Sequence, residues 1–444
     1  MISNKYFNNL LNKHICLMPF LFIGLYIISG IINNNIYTNI EIIGIQSISL
    51  ICFTTLFIIG KKFNLRTILF TTFIYQLILS IWLYSFFCIY IGNPLGYNPI
   101  DSQLYLDIVS HTVNIDIKEF IPYMESTGYN FSDYGFPFIQ RYIYILAGSI
   151  KNGLFIMIIT NIISHTITTF LLYKLSSLLI SKHDAKIIAL LWGINIYSVY
   201  FNVSGLKEQI FILIIISMTY YLYLYKDKNK ILSFILFFIF LILSCFFRYY
   251  ITLFYIITFC CLYCFKSIYN QLFPIYIISL FIISFGAINL LILFIPELYF
   301  AVNNTSELLE NKVGSGLVWQ ILSIFMAFIG PIPKVTNTIL SNSTLSEFFT
   351  LFKYFLSTFG ILAIISIIKS KNTIFYPIIN IVIFNVILLV LSGHFFNMRF
   401  IYVTLPLYFI LIIYGLRVFG NKTYANLSYL VLFILMIIFN TKFS

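Results

Sequence analysis

Long apolar runs recur along the whole chain and are separated by short polar connectors. Runs such as 231–246 and 272–295 are continuously apolar, whereas membrane β-strands alternate between apolar and polar residues. A helix needs about 20 apolar residues to cross the hydrocarbon core of a bilayer. The pattern therefore predicts an all-α polytopic membrane protein with roughly 11 to 14 transmembrane helices.

The ends of the apolar runs give the individual spans. No repeat and no separate soluble domain interrupts them, so residues 1–444 are expected to form a single integral membrane domain. The predicted spans are 15–32, 42–60, 67–92, 153–173, 187–203, 208–225, 231–247, 250–265, 272–295, 348–368, 375–393, 400–418 and 424–440.

Composition supports the same fold class and argues against several classes of function. The chain is 61% hydrophobic and 9% charged, against about 25% charged residues in soluble domains. The net charge of +12 is spread over short connectors and forms no single patch, so no nucleic-acid partner is expected. All seven cysteines lie inside apolar runs without metal-ligand spacing, and no Walker-type or zinc motif occurs. We therefore expect no metal and no cofactor.

The basic connectors predict which way the chain crosses the membrane. With these spans, one set of connectors falls on a single side, which the positive-inside rule makes cytoplasmic. The expected location is thus an inner (cytoplasmic) type of membrane. The connectors of this set contain Lys5, Lys13, Lys61, Lys62, Arg66, Lys174, Lys182, Lys186, Lys226, Lys228, Lys230, Lys266, Lys369, Lys371, Arg417 and Lys422.

Two long segments, 93–152 and 296–347, are then periplasmic. The second contains an apolar stretch, 317–333, which we interpret as an interfacial or re-entrant helix. Counting that stretch as a span would move Lys369 and Lys371 outside, and its two prolines end a helix.

The first periplasmic segment carries the first candidate residues. Asp101 opens the stretch DSQLYLDIV, in which Tyr105 follows on the same helical face, and Asp133 lies in FSDYGFPF beside a predicted turn. A carboxylate held near the membrane surface suits a general base toward a sugar hydroxyl. Simple solvation of a translocated loop is the alternative for each carboxylate.

Charges at the outer ends of spans form the second group. Lys207 and Glu208 stand in SGLKEQIF, Arg248 in CFFRYYITLF and Arg399 in SGHFFNMRFIYVTLPL. The cations are either snorkelling side chains or binders of phosphate, for which arginine offers a bidentate fork. Ionisable groups at this depth are costly unless paired or functional, and Glu208 is expected to be the salt-bridge partner of one of the cations.

Aromatic and histidine side chains complete the predicted site. Four tyrosines are candidates for stacking on sugar rings, and their alternative role is in interfacial packing: Tyr105, Tyr134, Tyr249 and Tyr250. His394 is a candidate proton carrier or a hydrogen-bonded structural residue.

These motifs resemble those of a known class of enzymes. The order DSQLY, DYGFPF, LKE, FRYY and RFIYVTLPL is similar to bacterial O-antigen (Wzy-type) polysaccharide polymerases, and it also resembles the GT-C membrane glycosyltransferases. The GT-C resemblance implies that Asp101 is the catalytic base. The polymerase resemblance implies that Arg248 and Arg399 bind the diphosphate of a lipid carrier and that 296–347 is the second large periplasmic loop. GT-C enzymes place the first loop after one span, whereas three spans precede it here.

The expected function is polymerisation of undecaprenyl-diphosphate-linked oligosaccharide repeat units at the periplasmic face. The expected partners are that lipid-linked oligosaccharide and membrane lipid, and a chain-length regulator protein is left open. One alternative is a GT-C-type transferase that adds a single sugar from a polyprenyl-phosphate donor. A second alternative is a flippase or transporter of lipid-linked oligosaccharide, for which matched broken helices and a central charged cavity are typical.

Overall fold

The described part of the chain is helical. The computed structural model describes residues 6–13, 15–17, 51–96, 100–127, 133–227, 230–294, 324–330, 343–391, 398–420 and 423–442. No β-strand occurs within these ranges. Five of their helices are long and apolar enough to cross a membrane, or six if one bent helix pair counts as a span. The prediction of an all-α polytopic membrane protein is confirmed.

We number the helices in chain order. They are α1 (Ile51–Gly60), α2 (Leu65–Phe86, extended by the π-helical Phe87–Ile91), α3 (Ile100–Thr112), α4 (Ile117–Ser126), α5 (Gly135–Ala147), α6 (Ile150–Leu179), α7 (Lys182–Gly193), α8 (Ile196–Val203), α9 (Glu208–Asp227), α10 (Lys230–Tyr263), α11 (Lys266–Phe294), α12 (Ser343–Lys369), α13 (Tyr376–Leu391), α14 (Met398–Tyr402), α15 (Leu405–Phe419) and α16 (Thr423–Lys442).

The chain divides into two compact units. Unit 1 contains Met1–Ile43, Ile256–Val335 and Thr350–Ser444, and unit 2 contains Gly44–Tyr255 and Thr336–Phe349. Each unit is described by itself below.

The two segments predicted to be periplasmic differ in how much of them is described. Segment 93–152 forms the three short helices α3, α4 and α5. Of 296–347, the structure describes 324–330 and the beginning of α12. The stretch 317–333 contains a short helix over 324–329, which ends at Gly330 with a φ of 96°. This helix is too short to cross a bilayer, and its periplasmic location remains a prediction.

In unit 2, the 30-residue helix α6 packs against α2, α5, α7, α8 and α9. At one end of the unit, Leu83 and Phe87 of α2 form an apolar cluster with Val199 and Val203 of α8. Toward the opposite end, Gly60 lies against Leu190, beside the basic connector 61–66. The charged end of α2 and its aromatic end therefore lie on opposite sides of the unit.

Helix α10 is a hairpin of two antiparallel arms rather than one long span. The hydroxyls of Ser244 and Thr252 are 2.6 Å apart, and the rings of Phe237 and Tyr255 are 6.5 Å apart. In a continuous helix these pairs would be separated by about 12 Å and about 27 Å along the axis. The chain reverses at Arg248, whose φ of −163° and ψ of 96° are not helical. This reversal agrees with the separate spans 231–247 and 250–265 predicted from the sequence.

The predicted single span 187–203 needs correction, because it is broken. Helices α7 and α8 meet at an angle of 47°. Gly193 lies so close to Thr72 of α2 that a Cβ there would stand 2.1 Å from the Thr72 hydroxyl oxygen. Asn195 then starts α8 by accepting a hydrogen bond from the Tyr197 N–H at 2.9 Å. The length of an apolar run predicts the length of a span. A two-residue break with its own N-cap does not make the run less apolar, so the hydrophobic pattern does not reveal it.

Side-chain amides bind the carbonyls that this break frees. Gln76 donates to the carbonyl oxygens of Gly193 and Asn195, at 3.0 Å each. Asn161 donates to the carbonyl of Asn202 at 3.2 Å, and the Asn202 amide donates to Gln76 Oε1 at 2.9 Å. A backbone carbonyl without water must find a partner inside the protein. Gln76 therefore holds the bend of the broken span.

In unit 1, α12 and α15 cross at two glycines. A Cβ at Gly360 would lie 2.5 Å from the Tyr408 ring, and one at Gly415 would overlap the Phe359 carbonyl. Small residues allow such close helix contacts within a membrane. The Tyr408 hydroxyl then donates to the Ser357 carbonyl at 2.8 Å, which fixes the register of the two helices.

Replacing Gln76 tests the account of the broken span. We expect Gln76→Ala to lower the free energy of unfolding by about 1–3 kcal/mol, because it leaves buried carbonyls without donors. The measurement is denaturant unfolding of the full chain in detergent. The matched control is Gln103→Ala, since Gln103 makes only an exposed hydrogen bond to Asp107, and a change below about 0.5 kcal/mol is expected there. Equal effects of the two substitutions would contradict the assignment.

Candidate functional site

Four charged side chains and a tyrosine from separate segments meet in unit 2. We call Asp133, Lys207, Glu208, Arg248 and Tyr250 the charge cluster. The side chains of Lys207 and Glu208 are 4% and 1% exposed. The cluster joins the turn before α5, the connector between α8 and α9, and the tip of the α10 hairpin.

Lys207 links the three segments. Its ammonium forms a salt bridge with Asp133, 74 residues away in sequence, and donates to the Phe247 carbonyl at 3.1 Å. Gly135 makes this approach possible, because a Cβ there would lie 2.9 Å from the Phe246 carbonyl oxygen. The glycine of the DYGFPF motif thus brings Asp133 onto the hairpin tip.

Arg248 occupies the reversal of the hairpin itself. Its guanidinium lies 3.7 Å from the Glu208 carboxylate and donates to the Tyr250 hydroxyl at 2.8 Å. It also lies 5.7 Å from the centroid of the Phe211 ring, which stacks on Phe247. The predicted pairing of Glu208 with a basic residue is confirmed, and its partner is Arg248.

The electrostatics of the cluster are those of a compensated network. Burial lowers the pKa of Lys207, and the nearby Arg248 acts in the same direction, whereas Asp133 and Glu208 favour its charged form. Two cations are thus balanced by two carboxylates. The Asp133 side chain is 32% exposed and the neighbouring Tyr249 is 65% exposed. Access from outside the protein is therefore on the Asp133 and Tyr249 side of the cluster.

Asp101 lies toward the same end of unit 2 as the cluster. The Tyr105 ring of α3 contacts the Phe136 ring of α5, with centroids 5.2 Å apart. One to two turns farther along both helices, Arg141 of α5 donates to the Thr112 carbonyl of α3 at 2.8 Å. Since both contact positions advance together along the chain, α3 and α5 run in the same direction. Asp101 lies one helical turn before Tyr105, and Asp133 lies about one turn before Phe136. Both carboxylates are therefore at the same end of this helix pair. Asp101 is exposed at the first turn of α3.

Tyr105 has a packing role in the structure. Its side chain is buried, and its ring meets Phe136 edge to face. The proposed stacking of a sugar on this ring would require it to leave that contact. Tyr249, at the surface beside Arg248, is more accessible than Tyr105 and Tyr134, which are both buried.

The remaining predicted residues belong to unit 1. Arg399 is half-buried on the short helix α14. Its joint action with Arg248 on one ligand remains a prediction. His394 lies outside the described residues.

Sequence reasoning missed two buried basic residues. Arg141 binds the carbonyls of Thr112 and Ile115 beyond the end of α3, at 2.8 Å and 2.7 Å. Lys353 is buried in α12 of unit 1. Both had a signal in the sequence: Arg141 is a cation in a segment predicted to be periplasmic, and Lys353 stands inside the predicted span 348–368. Within the described residues, no group of three or more His, Cys, Asp or Glu side chains could hold a metal ion.

Removing the Asp133 charge should lower the free energy of unfolding more than removing the Lys207 charge. We expect Asp133→Asn to lower the free energy of unfolding by about 3–5 kcal/mol, because it leaves the buried Lys207 ammonium without its partner. Lys207→Met leaves a carboxylate that water reaches, so we expect a smaller loss of about 1–2 kcal/mol. Denaturant unfolding in detergent compares the two. The exposed Asp107→Asn and Lys118→Met serve as matched controls.

The pH dependence provides a second measurement on the same variant. The folded Asp133→Asn protein would release the Lys207 proton below the ordinary lysine pKa of about 10.4, while the unfolded chain keeps it. The unfolded state then binds more protons, so stability relative to wild type should rise as the pH approaches that value. Two results would contradict the proposed network. One is a loss of unfolding free energy in Asp133→Asn that does not change with pH, and the other is a larger loss in Lys207→Met than in Asp133→Asn.

The chain was also compared with known proteins. No protein-family model, no curated protein and no solved structure matches it.

Proposed function

We propose that this chain is a membrane glycosyltransferase that polymerises undecaprenyl-diphosphate-linked oligosaccharide repeat units at the outer face of the bacterial inner membrane. The observation that carries the proposal is the charge cluster. It gathers two buried cations and two carboxylates in a helical unit whose basic connector 61–66 lies toward the opposite end. Ionisable groups at membrane depth are expensive and typically mark a substrate site.

The chemistry needs one base and stabilisation of one leaving group. A carboxylate takes the proton of an acceptor hydroxyl as that oxygen attacks the anomeric carbon of the donor sugar. The bond from this carbon to the diphosphate oxygen breaks, and the lipid diphosphate leaves with the bonding electron pair. Cations close to the leaving oxygen stabilise the charge that develops there.

The contacts of the two candidate carboxylates support different roles. Asp133 is held by Lys207 in a salt bridge, which makes it a positioning residue for the cluster. Asp101 is exposed at the start of α3 and lies toward the same end of unit 2. We assign the base to Asp101 and the binding of the diphosphate to Arg248.

Transport of the lipid-linked oligosaccharide is the second candidate, and the bent pair α7–α8 is the feature that favours it. Broken helices in transporters supply free carbonyls to ions or substrates. Here the carbonyls of Gly193 and Asn195 already accept hydrogen bonds from Gln76. Because these two carbonyls already have donors, the bent pair supports transport less strongly than the charge cluster supports group transfer.

Deletion of the gene in its host separates the candidates by the surface glycan that remains. Under the proposal, a gel shows a single repeat unit in place of the ladder. A ladder shifted by one sugar indicates a decorating transferase with a polyprenyl-phosphate donor. Complete loss of the surface glycan indicates export. Either of the last two results would overturn the proposal.

Complementation with variants tests the residues. Asp101→Asn is expected to reduce the rate of chain extension about 10²–10⁴-fold, the usual contribution of a general base. Arg248→Lys keeps the charge beside Glu208 but loses the bidentate fork, so short chains are expected. The control is Asp107→Asn, an exposed carboxylate on the same helix as Asp101. Membrane content of each variant is measured in parallel. A full ladder from Asp101→Asn at normal abundance would exclude it as the base.

A further inference from the structure

The two carboxylates of the charge cluster differ in their access to water. The Asp133 side chain is 32% exposed, whereas the Glu208 side chain is 1% exposed. The Lys207 side chain, which Asp133 binds, is 4% exposed, so an ion from outside meets Asp133 first. A carboxylate that turns into water recovers hydration, which offsets the loss of its ion pair, but a fully buried carboxylate does not. Asp133 therefore leaves the cluster at a lower cost than Glu208.

Lys207 has a second anchor that does not depend on the Asp133 side chain. Its ammonium donates to the Phe247 carbonyl at 3.1 Å. This carbonyl belongs to the residue just before Arg248, at the reversal of the α10 hairpin. An ammonium has three donors, so another acceptor oxygen can replace the carboxylate while the backbone carbonyl keeps the nitrogen in place.

A second cation lies beside Lys207. Arg248 is close enough for the two positive charges to repel each other. The Arg248 guanidinium is 3.7 Å from the Glu208 carboxylate. Because this distance exceeds that of a hydrogen bond, Glu208 does not bind the guanidinium in the bidentate manner typical of arginine pairs. Two neighbouring cations at one reversal of the backbone suit a ligand with two linked anionic groups, such as a diphosphate.

A phosphate and the Asp133 carboxylate compete for the Lys207 ammonium. If both bound it, two like charges would lie within hydrogen-bond range in surroundings of low dielectric constant. Departure of Asp133 removes this repulsion and exchanges one ion pair of Lys207 for another. The buried ammonium then has a counter-charge both with and without ligand, which avoids the cost of an unpaired buried charge.

We propose that Asp133 is an exchangeable counter-ion and that a phosphate group of the ligand replaces it on Lys207. The second phosphate of a diphosphate binds Arg248, and Asp133 returns to Lys207 when the ligand leaves. The inference rests on the lipid diphosphate proposed above as substrate, and it adds a competition between ligand and protein for one ammonium. Asp133 thus positions Lys207 in the resting protein and opposes the ligand during binding.

The test measures diphosphate binding by the purified full chain in a neutral detergent. The probes are geranyl diphosphate, inorganic diphosphate, and geraniol as the same prenyl chain without phosphate. We expect Asp133→Asn to lower the Kd of a diphosphate probe at least about tenfold, because the competing carboxylate is gone. This direction separates exchange from a merely structural role, since a damaged site binds its ligand more weakly.

The two diphosphate probes distinguish the sources of the ligand. Tighter binding of geranyl diphosphate by Asp133→Asn supports the exchange with a lipid-linked ligand. Tighter binding of inorganic diphosphate alone supports the exchange with free diphosphate and contradicts the lipid carrier.

Three further variants connect the effect to Lys207. Asp133→Glu keeps the competing charge, so its Kd should lie nearer to wild type than that of Asp133→Asn. In the Lys207→Met background, Asp133→Asn should no longer tighten binding, because the ammonium for which the two anions compete is absent. Asp107→Asn, which changes an exposed carboxylate of α3, is the matched control and should keep the Kd within about twofold of wild type.

The unfolding temperature gives a second measurement on the destabilised variant. Asp133→Asn is purified with diphosphate present, and the probe is then removed or added. Saturating diphosphate should raise the unfolding temperature more in Asp133→Asn than in wild type, because the ligand supplies the missing counter-charge of Lys207.

Four results would overturn the exchange. They are equal diphosphate binding by wild type and Asp133→Asn, weaker binding by Asp133→Asn, equal binding of geraniol and geranyl diphosphate, and no binding of either diphosphate probe. The gene deletion is a separate measurement on the surface glycan. A shifted ladder or a complete loss of glycan overturns the polymerase and leaves the exchange standing, whereas equal Kd values overturn the exchange and leave the polymerase standing.

Discussion

Every backbone carbonyl freed inside a lipid-embedded helical protein must find a donor, and this requirement organises the structure. At three interruptions of helices within the described residues, a long polar side chain from another element donates to the freed carbonyls. Gln76 reaches Gly193 and Asn195, Lys207 reaches Phe247, and Lys353 reaches Phe328. The positions of these three buried polar residues thus follow from the interruptions of helices.

This requirement explains why the cations are where they are, but it does not explain why they are charged. A carbonyl is satisfied by a neutral amide, as Gln76 shows in the middle of the α7–α8 break. An ammonium can also donate to a carbonyl, but burying it costs more desolvation free energy than burying an amide. At Lys207 the cost is offset by Asp133, whereas Lys353 has no such carboxylate in the described part of unit 1. Capping alone therefore does not account for the charge of these two lysines.

The sequence predicts the elements well and their interruptions poorly. Apolar runs gave the helical class and the two arms that meet at Arg248, because lipid burial acts on every residue of a span. The break at Gly193 was missed because both sides of it are equally apolar. Asp133 and Lys207 were each noticed at their own positions, but their pairing depends on the fold, which joins residues 74 apart in sequence. Lys353 was passed over because one lysine hardly changes the hydropathy of a span.

Capping and the proposed glycosyl transfer place compatible demands on the same residues. A cation bound to a carbonyl at a helix end is held in one orientation by the backbone, which is the preorganisation that stabilisation of a leaving group requires. The α10 hairpin illustrates the point, because its reversal fixes Arg248 beside Glu208 while Lys207 binds the preceding carbonyl. A mobile loop could present the same charges only after losing conformational entropy on binding. The tight reversal within an apolar hairpin therefore suits a rigid anion-binding surface better than the longer connectors of the chain do.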